Sequence, residues 1–495
     1  MPGCQIMLRY LSALTFLSIA LSGTSREKKI VCYFGSWSVY RPENGRFDIA
    51  DINPQLCTHL IYTFVGLSED GNIRVLDSWQ DLPDNYGKNG FGRFNALREK
   101  NPRLKTLIAI GGWNEGSRKY SSVFRQSHLR SKFVNNTLTF IKKYGFNGLD
   151  IDWEYPNQRG GSSEDVNNFT LLLKELKDKF NQEKFLLSIA VAATESSAGK
   201  SYNIREMSKY VDFINVMAYD LRGSWDDKKR VGINAPLRSS LKEDHLLSIW
   251  NIEAIIKYWI DQGASQEKII LGTAFYGRSF TLVDSSKHNV GDSFTGPGNS
   301  GKYTRESGML GYNEICELQK NERWTTVFDE EQQVPYSFNG NQWVGYDDVR
   351  SLKIKAEYIL KLGLGGVMLW SIETDDFRGI CGEKYPLLKM LNSVLNHELS
   401  STKNPTIPEK TPSTHSTSTE PSSSTDLPVK LPSTPAMNNN VCQTMGYVRD
   451  SIDCSKFYYC NLIDKKYQIS HFQCPPGTFF DMTNFVCNFE HLVMC

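Results

Sequence analysis

The stretch YGFNGLDIDWEYP, residues 144–156, carries three carboxylic acids at alternate positions of an otherwise apolar run. They are Asp150, Asp152 and Glu154, with a glycine before them and a proline after them. Side chains of a β-strand point alternately to its two faces, so neighbours on one face stand about 6 to 7 Å apart. The three acids therefore share one face of a predicted strand. We call them the acid file, and Glu154 stands at its carboxyl end.

Seven other short apolar runs accompany the one that carries the acid file. In chain order the eight runs read IVCYFGSW, HLIYTFVG, KTLIAIGG, GLDIDWE, FLLSIAVA, VDFINVMAYD, KIILGTAFYG and GVMLWSI. Helical patterns separate most of them, for example at residues 165–180 and 348–363. Apolar strands that alternate with helices are typical of a parallel sheet covered on its outer side. An open doubly wound sheet would carry a Gly-rich phosphate turn after its first strand, whereas eight strands close a barrel, so we predict an α/β fold of the (β/α)8 TIM-barrel type.

The connection between the seventh and eighth runs is about 90 residues long, far more than one crossover helix needs. Its section 279–342 is rich in Gly, Tyr and Phe and contains turn signals such as TGPGNSGKY. We therefore predict a small α+β insertion on the carboxyl-terminal rim of the barrel.

The acid file predicts catalysis because of where a barrel would place it. One face of a barrel strand points to the interior, and barrels keep their chemistry at the carboxyl ends of the strands. A solvated charge cluster would need a free sheet edge, and a buried ion-pair network would need more bases than Arg278 on neighbouring strands. Crowded carboxyls must share protons, so Glu154 can stay protonated near neutral pH, as a general acid requires.

The segment GLDIDWEYP resembles the D-x-x-D-x-D-x-E signature of glycoside hydrolase family 18, the chitinases. Six further segments are similar to that family in the same order, and together they cover residues 29–396: YFGSWSVYR, LIAIGGWN, NVMAYDLRGSW, FYGRSF, NQWVGYDD and GGVMLWSIETDDF. The first acid of the signature is Asn147 here. We expect Asn147 to lie lowest in the file, where it would affect the depth of a hydrogen-bond relay.

The resemblance implies substrate-assisted, retaining cleavage of β-1,4 bonds between N-acetylglucosamine units by a secreted endo-chitinase. Glu154 would donate the proton, and Asp152 would orient the N-acetyl group of the substrate. Asp150 would share a proton with Asp152, and Tyr219 would hold the acetamide carbonyl. No cofactor and no metal is implied. Two rival predictions are a catalytically silent chitin-binding lectin on the same fold, against which the intact Glu154 argues, and a matrix protein whose barrel is incidental.

Aromatic and polar side chains at the barrel rim match positions of the family's cleft. We expect a row of tryptophans to stack on sugar faces, with Trp370 as the floor of the cleaving subsite. Met217 fits core packing equally well. The predicted substrate-binding residues are Trp37, Phe64, Trp113, Asn114, Tyr155, Met217, Asp220, Trp225, Tyr276, Arg278, Glu306 and Trp370.

The amino terminus predicts secretion. Residues 1–23 contain Arg9 followed by an apolar core and small residues, which is typical of a signal peptide, with a membrane anchor as the alternative. We expect the mature protein to be soluble and extracellular, because we find no later apolar run long enough to span a bilayer. We also expect a monomer. The formal net charge of +1 argues against nucleic acid or anionic membranes as partners. The partners implied by the resemblance are chitin and chito-oligosaccharides.

The carboxyl-terminal part divides into a linker and a small module. A segment rich in Ser, Thr and Pro predicts an extended linker over residues 399–438, between a catalytic domain at 24–398 and a module at 439–495. The module has six cysteines, which allow fifteen pairings. A zinc site is disfavoured by secretion and by the absence of paired C-x-x-C spacing. The spacing of the cysteines and the segment CPPGTFFDMTNFVC resemble the peritrophin-A type of chitin-binding module.

Both resemblances imply disulfides. In the barrel they are Cys32–Cys57 and Cys316–Cys381, and in the module Cys442–Cys460, Cys454–Cys495 and Cys474–Cys487. Sequons predict N-glycosylation at Asn135 and Asn168.

Overall fold

The computed structural model describes residues 27–240, 248–396, 446–463, 466–474, 478–482, 486–489 and 493. The predicted signal peptide and linker lie outside these residues. The chain divides into two compact units, residues 1–406 and 407–495, and each is described by itself.

The strands and helices of the first unit follow the predicted alternation. In chain order the strands are β1 (Lys29–Gly35), β2 (His59–Leu67), β3 (Ile73–Val75), β4 (Lys105–Gly111), β5 (Gly148–Asp152), β6 (Leu186–Ala192), β7 (Phe213–Met217), β8 (Ile269–Ala274), β9 (Tyr276–Leu282), β10 (Phe294–Pro297), β11 (Met309–Gly311), β12 (Thr325–Asp329), β13 (Val334–Asn339), β14 (Gln342–Gly345) and β15 (Gly366–Trp370). The helices are α1 (Ser78–Asp81), α2 (Gly90–Lys100), α3 (Arg118–Arg125), α4 (Ser127–Tyr144), α5 (Asp165–Glu183), α6 (Glu195–Ser201), α7 (Ile204–Met207), α8 (Ile252–Asp261), α9 (Tyr312–Asn321), α10 (Val349–Lys361) and α11 (Pro386–Leu395). Short 3-10 turns lie at Ser36–Tyr40, Glu43–Gly45, Ile49–Asp51, Asp84–Tyr86, Trp113–Glu115, Gln266–Lys268 and Ile372–Thr374.

Eight parallel strands close into a barrel. Their order around the sheet is β1-β15-β8-β7-β6-β5-β4-β2, and β1 pairs with β2 to complete the circle. At the seam, Lys29 of β1 stands beside Gly366 of β15, and Val31 stands beside His59 of β2. The predicted (β/α)8 barrel is confirmed, and β3 adds one antiparallel strand to the outside of β2.

The barrel has a core on each side of its strands. Leu149 and Ile151 of β5 belong to the large cluster between strands and helices. Val31, Ile61 and Met368 belong to a smaller cluster inside the barrel. Burial on both faces explains why the strands read as continuous apolar runs.

Several helix boundaries follow from local side-chain or glycine caps. The Asp348 side chain accepts a hydrogen bond from the Ser351 amide at the start of α10, and the Asn251 side chain caps α8 in the same way. Helix α4 ends at Gly145, whose φ of 77° lies in the left-handed region that glycine tolerates best.

The predicted α+β insertion is present between β8 and β15. Its sheet has the order β10-β9-β14-β13-β12, with β11 paired to β9, and α9 follows β11. The sheet runs from Tyr276 to Gly345, three residues beyond the predicted range at each end. The difference arises because β9 begins almost directly after barrel strand β8.

The second unit is small and built from antiparallel strands. They are β16 (Gly446–Arg449), β17 (Lys456–Ile463), β18 (Lys466–Gln473), β19 (Thr478–Asp481) and β20 (Val486–Phe489). The first three form one sheet and the last two another.

The structure contains the predicted disulfides Cys32–Cys57, Cys316–Cys381 and Cys474–Cys487. Cys454 and Cys460 are also disulfide-bonded, but their predicted partners, Cys495 and Cys442, lie outside the described residues.

Two surface predictions concern glycans and membranes. Asn135 is exposed on α4 and Asn168 is half-buried on α5, and their glycosylation stays a prediction.

Within the described ranges, we find no helix whose length and apolar character would let it cross a membrane.

Candidate active site

The acid file stands at the carboxyl end of β5 and points as the strand period predicts. Asp150 is 0% exposed and Asp152 is 3% exposed, and both are directed away from the outer core that contains Leu149 and Ile151. Glu154 follows two residues after Asp152, just beyond the strand end. The three carboxyls therefore rise from the barrel interior towards its carboxyl-terminal mouth.

The Asp150 carboxylate is held by three polar side chains from other strands. Tyr33 Oη donates to its Oδ2 at 2.7 Å, and Ser188 Oγ donates to its Oδ1 at 2.5 Å. Asn215 Nδ2 donates to the same Oδ1 at 3.2 Å and to Tyr33 Oη at 3.0 Å. Burial raises the pKa of Asp150 to about 6, and these hydrogen bonds oppose the rise.

Sequence reasoning missed the three partners of Asp150. Tyr33, Ser188 and Asn215 are polar residues inside apolar strands, and each is buried. A buried polar side chain requires a hydrogen-bond partner, so three inward-facing polar residues on separate barrel strands were a usable signal.

The two upper carboxyls have raised pKa values. Burial raises the pKa of Asp152 well above its usual range, and the charges of Glu154 and Asp150 raise it further. Burial also raises the pKa of Glu154 to about 7, while a hydrogen bond with Tyr155 and the charge of Arg159 oppose that rise. The file therefore retains protons near neutral pH, and Glu154 titrates in the range in which a general acid works.

One oxygen of Asp152 is buried and lacks a hydrogen-bond partner in the part of the chain that the structure describes. This atom is Oδ1. A buried acceptor without a donor costs free energy of roughly 1–3 kcal/mol, so such an atom in a cleft marks a place where a ligand can donate.

Two glycines of the IGG motif bring strand β4 against Asp152. Gly111 has a φ of 122°, and a Cβ there would lie 2.0 Å from the Asp152 carbonyl oxygen. The amide of Gly112 donates to that oxygen at 2.8 Å. Gly111 and Gly112 thus fix the backbone of Asp152, and neither glycine can be replaced by a residue with a larger side chain without strain.

The family-matched base Arg278 does not pair with the acid file. Its guanidinium donates to both carboxylate oxygens of Asp220, at 2.7 and 2.9 Å, and Tyr276 Oη donates to Asp220 Oδ1 at 2.7 Å. Glu306 lies 3.7 Å from the same guanidinium, and Trp225 lies against it with the ring centroid at 4.9 Å. The alternative of a buried ion-pair network within the acid file is therefore wrong.

Asn234 fixes this polar group to the barrel. Its Oδ1 accepts from the Asp220 amide at 2.9 Å, and its Nδ2 donates to the Tyr276 carbonyl at 3.0 Å. Tyr219, the residue before Asp220, is buried in the inner core, and its hydroxyl lies 3.7 Å from Met368 Sδ. Tyr219 thus enters the barrel mouth beside the acid file from β7.

An aromatic cluster lies at the seam between β1, β2 and β15. The ring centroids of Trp37 and Trp370 are 6.1 Å apart, those of Trp37 and Phe64 also 6.1 Å, and those of Phe64 and Trp370 5.9 Å. The Trp370 ring is half-buried and Trp37 is 42% exposed. The structure thus brings together three residues that the sequence predicted separately.

Two further tryptophans are exposed elsewhere on the rim. Trp113 is 59% exposed and Trp225 is 53% exposed. The Arg159 guanidinium lies 3.5 Å from the Trp113 ring centroid, and its Nη1 donates to the Glu154 carbonyl at 2.9 Å. Sequence reasoning missed Arg159, which connects an exposed tryptophan with the candidate acid.

A second aromatic pair, Tyr40 and Trp79, follows Trp37. We call these two rings together with Trp37, Phe64 and Trp370 the aromatic row. Tyr40 and Trp79 are 55% and 41% exposed, and their stacked rings have centroids 6.4 Å apart. Residues three apart on a 3-10 turn share one face, which places Tyr40 on the same side of the turn as Trp37. Sequence reasoning missed the pair because the sequence shows that these residues are aromatic but not that they are exposed. Only their exposure distinguishes them from aromatic residues of the core.

The remaining predicted cleft residues take different places. Asn114 is exposed in the turn after β4, and Met217 is half-buried at the end of β7 against the inner core. Tyr155 packs partly against the outer core and hydrogen-bonds Glu154. Of these three residues, Tyr155 is thus the one that interacts with the acid file.

The expectation for Asn147 was wrong. Asn147 Oδ1 accepts from the amide of Thr106 at 3.0 Å, at the start of β4 and away from the hydrogen bonds of Asp150. Asn147 is three residues before Asp150, an odd separation, so strand alternation turns its side chain away from the file. The departure from the signature therefore lies outside the network that holds the three carboxyls.

The described residues offer one grouping with metal-ligand character, Cys316, Asp376 and Cys381. Its two sulfurs are joined in a disulfide, which leaves a single carboxylate and no metal site there.

Comparison with known proteins gives two domain matches. Residues 29–375 match the family model of glycosyl hydrolases family 18, and residues 442–495 match that of the chitin binding Peritrophin-A domain. The chain is 40% identical over 403 residues to probable chitinase 2 of Drosophila melanogaster, which covers 75% of this chain and 81% of that protein.

Solved structures give the same picture. The Group IV chitinase of Ostrinia furnacalis superposes with a TM-score of 0.72 and 43% identity, over 75% of this chain and 100% of that chain. Human YKL-39, a pseudo-chitinase with retained chitooligosaccharide binding properties, superposes with a TM-score of 0.69 and 36% identity, over 74% of this chain and 100% of that chain.

Proposed function

The chain belongs to glycosyl hydrolases family 18 and carries a chitin-binding peritrophin-A domain, and from this membership we propose that it is a secreted endo-chitinase. Its substrate is chitin, and the reaction is hydrolysis of the β-1,4 bond between N-acetylglucosamine units. The observation that carries the proposal is the buried acid file with Glu154 at its upper end and a pKa of about 7.

Glu154 is the general acid. It donates its proton to the oxygen of the bond that is cleaved, and the leaving sugar departs as a neutral alcohol. Burial is the main cause of its raised pKa, and it keeps a transferable proton on Glu154 at pH values where an exposed glutamate has none.

The nucleophile is the carbonyl oxygen of the substrate's own N-acetyl group. It attacks the anomeric carbon as the glycosidic bond breaks, which gives a cyclic oxazolinium ion. Asp152 accepts the acetamide N–H on its unpartnered Oδ1 and stabilises the positive charge that develops. Tyr219 holds the acetamide in line for attack. Glu154 then takes a proton from water, which opens the ion with retention of configuration.

Asp150 supports Asp152 from below. Asp150 has a lower pKa, about 6, because Tyr33, Ser188 and Asn215 oppose the effect of burial on it. A negative Asp150 can accept a proton from Asp152, which leaves Asp152 charged when the oxazolinium ion forms.

The polymer lies along the aromatic row. Trp370, Trp37 and Phe64 cluster at the carboxyl-terminal rim of the barrel, and Tyr40 with Trp79 adds a second pair of exposed rings. A row of this length suits a chain of sugars better than a monosaccharide, which favours cleavage within the polymer.

A silent lectin on the same fold is the second candidate. It is favoured by the similarity to YKL-39, a pseudo-chitinase with retained chitooligosaccharide binding properties. The buried acid file opposes it, because holding three carboxyls in a barrel is costly and binding alone gains nothing from a proton donor.

The decisive experiment is release of reducing ends from chitohexaose as a function of pH. We expect turnover, with trimers among the products. We also expect kcat/KM to fall as pH rises through about 7, because Glu154 loses its proton there, and to fall below about 6, because Asp150 becomes neutral. No turnover at any pH, with chitohexaose binding retained, would favour the lectin, and initial products without any trimer would contradict endo cleavage.

Removal of the linker and module tests the proposed division of the chain. A protein that ends at His397 should cleave soluble chitohexaose at the full-length rate, because the acid file and aromatic row lie within 27–396. On insoluble chitin it should be several-fold slower, because a docked module raises the effective concentration of the barrel at the surface. The measurement compares both proteins on both substrates. An equal loss on both would mean that the barrel and module form one catalytic unit.

A further inference from the structure

Two tyrosines of the carboxyl-terminal unit are placed side by side on its surface. Tyr447 of β16 stands directly opposite Tyr459 of β17 in the antiparallel pairing. Their side chains are 40% and 41% exposed, and their ring centroids are 4.9 Å apart. Large exposed rings at adjacent positions are uncommon on a surface without a binding role.

A layer of packed rings supports this pair. Phe457 shares a face of β17 with Tyr459, and its ring stacks on Phe480 at 3.8 Å and on Phe472 at 5.1 Å. Tyr447 contacts the same layer, with ring centroids 5.7 Å from Phe480 and 6.0 Å from Phe457. The two tyrosines are therefore the outer edge of a rigid aromatic stack.

The opposite face of the same strand is occupied by internal contacts. Tyr458 donates a hydrogen bond to Asp450 and meets the His471 ring edge to face, with the ring centroids 4.9 Å apart. Cys460 is buried and disulfide-bonded. Among the residues of the unit whose side-chain exposure is described, which leaves out 461–468, 470, 486 and 489, the other exposed large apolar side chains are Ile452 and Met482, and neither has a ring.

We propose that Tyr447 and Tyr459 form the chitin-contacting site of the module. The match to the chitin-binding domain names the class of ligand and assigns no residue. Sugar rings of chitin present apolar C–H faces that pack on aromatic rings. The proposal rests on chitin as the partner under the proposed function.

The angle between the two rings indicates which form of chitin the site can bind. The two planes are inclined by 59°, so the rings do not lie flat together on one plane. A flat crystal face would contact one ring well and the other poorly. The rings touch each other, with centroids 4.9 Å apart, so a single chain packs over their joint outer surface and not between them. The site therefore takes separated chains, as in amorphous chitin and soluble oligosaccharides.

The test uses the full-length protein and amorphous chitin in a cold sedimentation assay, with hydrolysis of soluble chitohexaose measured in parallel. The double variant Tyr447→Ala with Tyr459→Ala should bind amorphous chitin at least tenfold more weakly, so that it sediments with chitin no better than the protein that ends at His397. Its hydrolysis of chitohexaose should be unchanged. Tyr447→Phe with Tyr459→Phe should keep most of the binding, because the rings remain. Ile452→Ser is the matched control for an exposed apolar residue and should bind as the parent protein does.

If the alanine variant misfolds, nitration of the tyrosines in the unmodified protein still tests the proposal. Bound amorphous chitin should protect Tyr447 and Tyr459 from nitration, and mass spectrometry reads each tyrosine separately. Full binding by the alanine variant, or equal nitration with and without chitin, overturns the proposal. A parent protein that fails to cleave chitohexaose refutes the proposed enzyme and leaves the nitration result to decide this site.

Discussion

Replacement of Glu154 by glutamine should lower kcat for chitohexaose by about 10²–10⁴-fold, the usual contribution of a general acid. Glutamine keeps the shape of the side chain and has no proton to transfer. Oligosaccharide affinity should stay within a few-fold of the parent value, because the aromatic row and the Asp220–Arg278 pair are untouched.

A second substrate separates loss of the acid from general damage. An aryl chitobioside has a leaving group that departs without protonation, so Glu154→Gln should be much less impaired on it than on chitohexaose. Glu99→Gln, at an exposed position of α2, is the matched control and should be indistinguishable from the parent protein. Chitohexaose turnover near the parent rate in Glu154→Gln would remove Glu154 from the proposed role.

The sequence predicted the barrel and the file because both depend on strand periodicity. Continuous apolar runs indicated strands that are buried on both faces, and acids at alternate positions indicated that the three carboxyls share one face of β5. The same rule, applied to Asn147, would have excluded it from the file, since its separation from Asp150 is odd. The error came from treating a family signature as one continuous row.

Polar residues inside apolar strands signal that each needs a hydrogen-bond partner, but the sequence does not show which distant side chains meet. Tyr33, Ser188 and Asn215 meet at Asp150 only because the barrel closes, and they are separated from it by 117, 38 and 65 residues. Tyr40 lies in the 3-10 turn Ser36–Tyr40 and Trp79 in α1, and their pairing is recognisable only once their exposure is known. Single strands were thus predictable, whereas networks that cross several strands were not.

Under the proposed mechanism, the buried position of Asp152 gives it a role that asparagine cannot fill. Its pKa is raised by burial and by two neighbouring carboxylates, so its negative charge is unfavourable until a positive charge forms nearby. The oxazolinium ion supplies that positive charge. Asparagine can accept a hydrogen bond from the acetamide N–H but carries no charge, so it orients the nucleophile and does not stabilise the intermediate.

Asp152→Asn should therefore lower kcat by about 10²–10³-fold, the typical cost of removing one preorganised electrostatic group. Unlike Glu154→Gln, it should lose a similar factor on chitohexaose and on the aryl chitobioside, because both substrates form the same ion regardless of the leaving group. Asp178→Asn, at an exposed position of α5, is the matched control. If Asp152→Asn recovers on the aryl substrate as Glu154→Gln does, Asp152 acts through the acid and not on the acetamide. The two carboxyls would then form a single proton-donating unit, and the stabilisation of the ion would have to come from Asp150 or Tyr219.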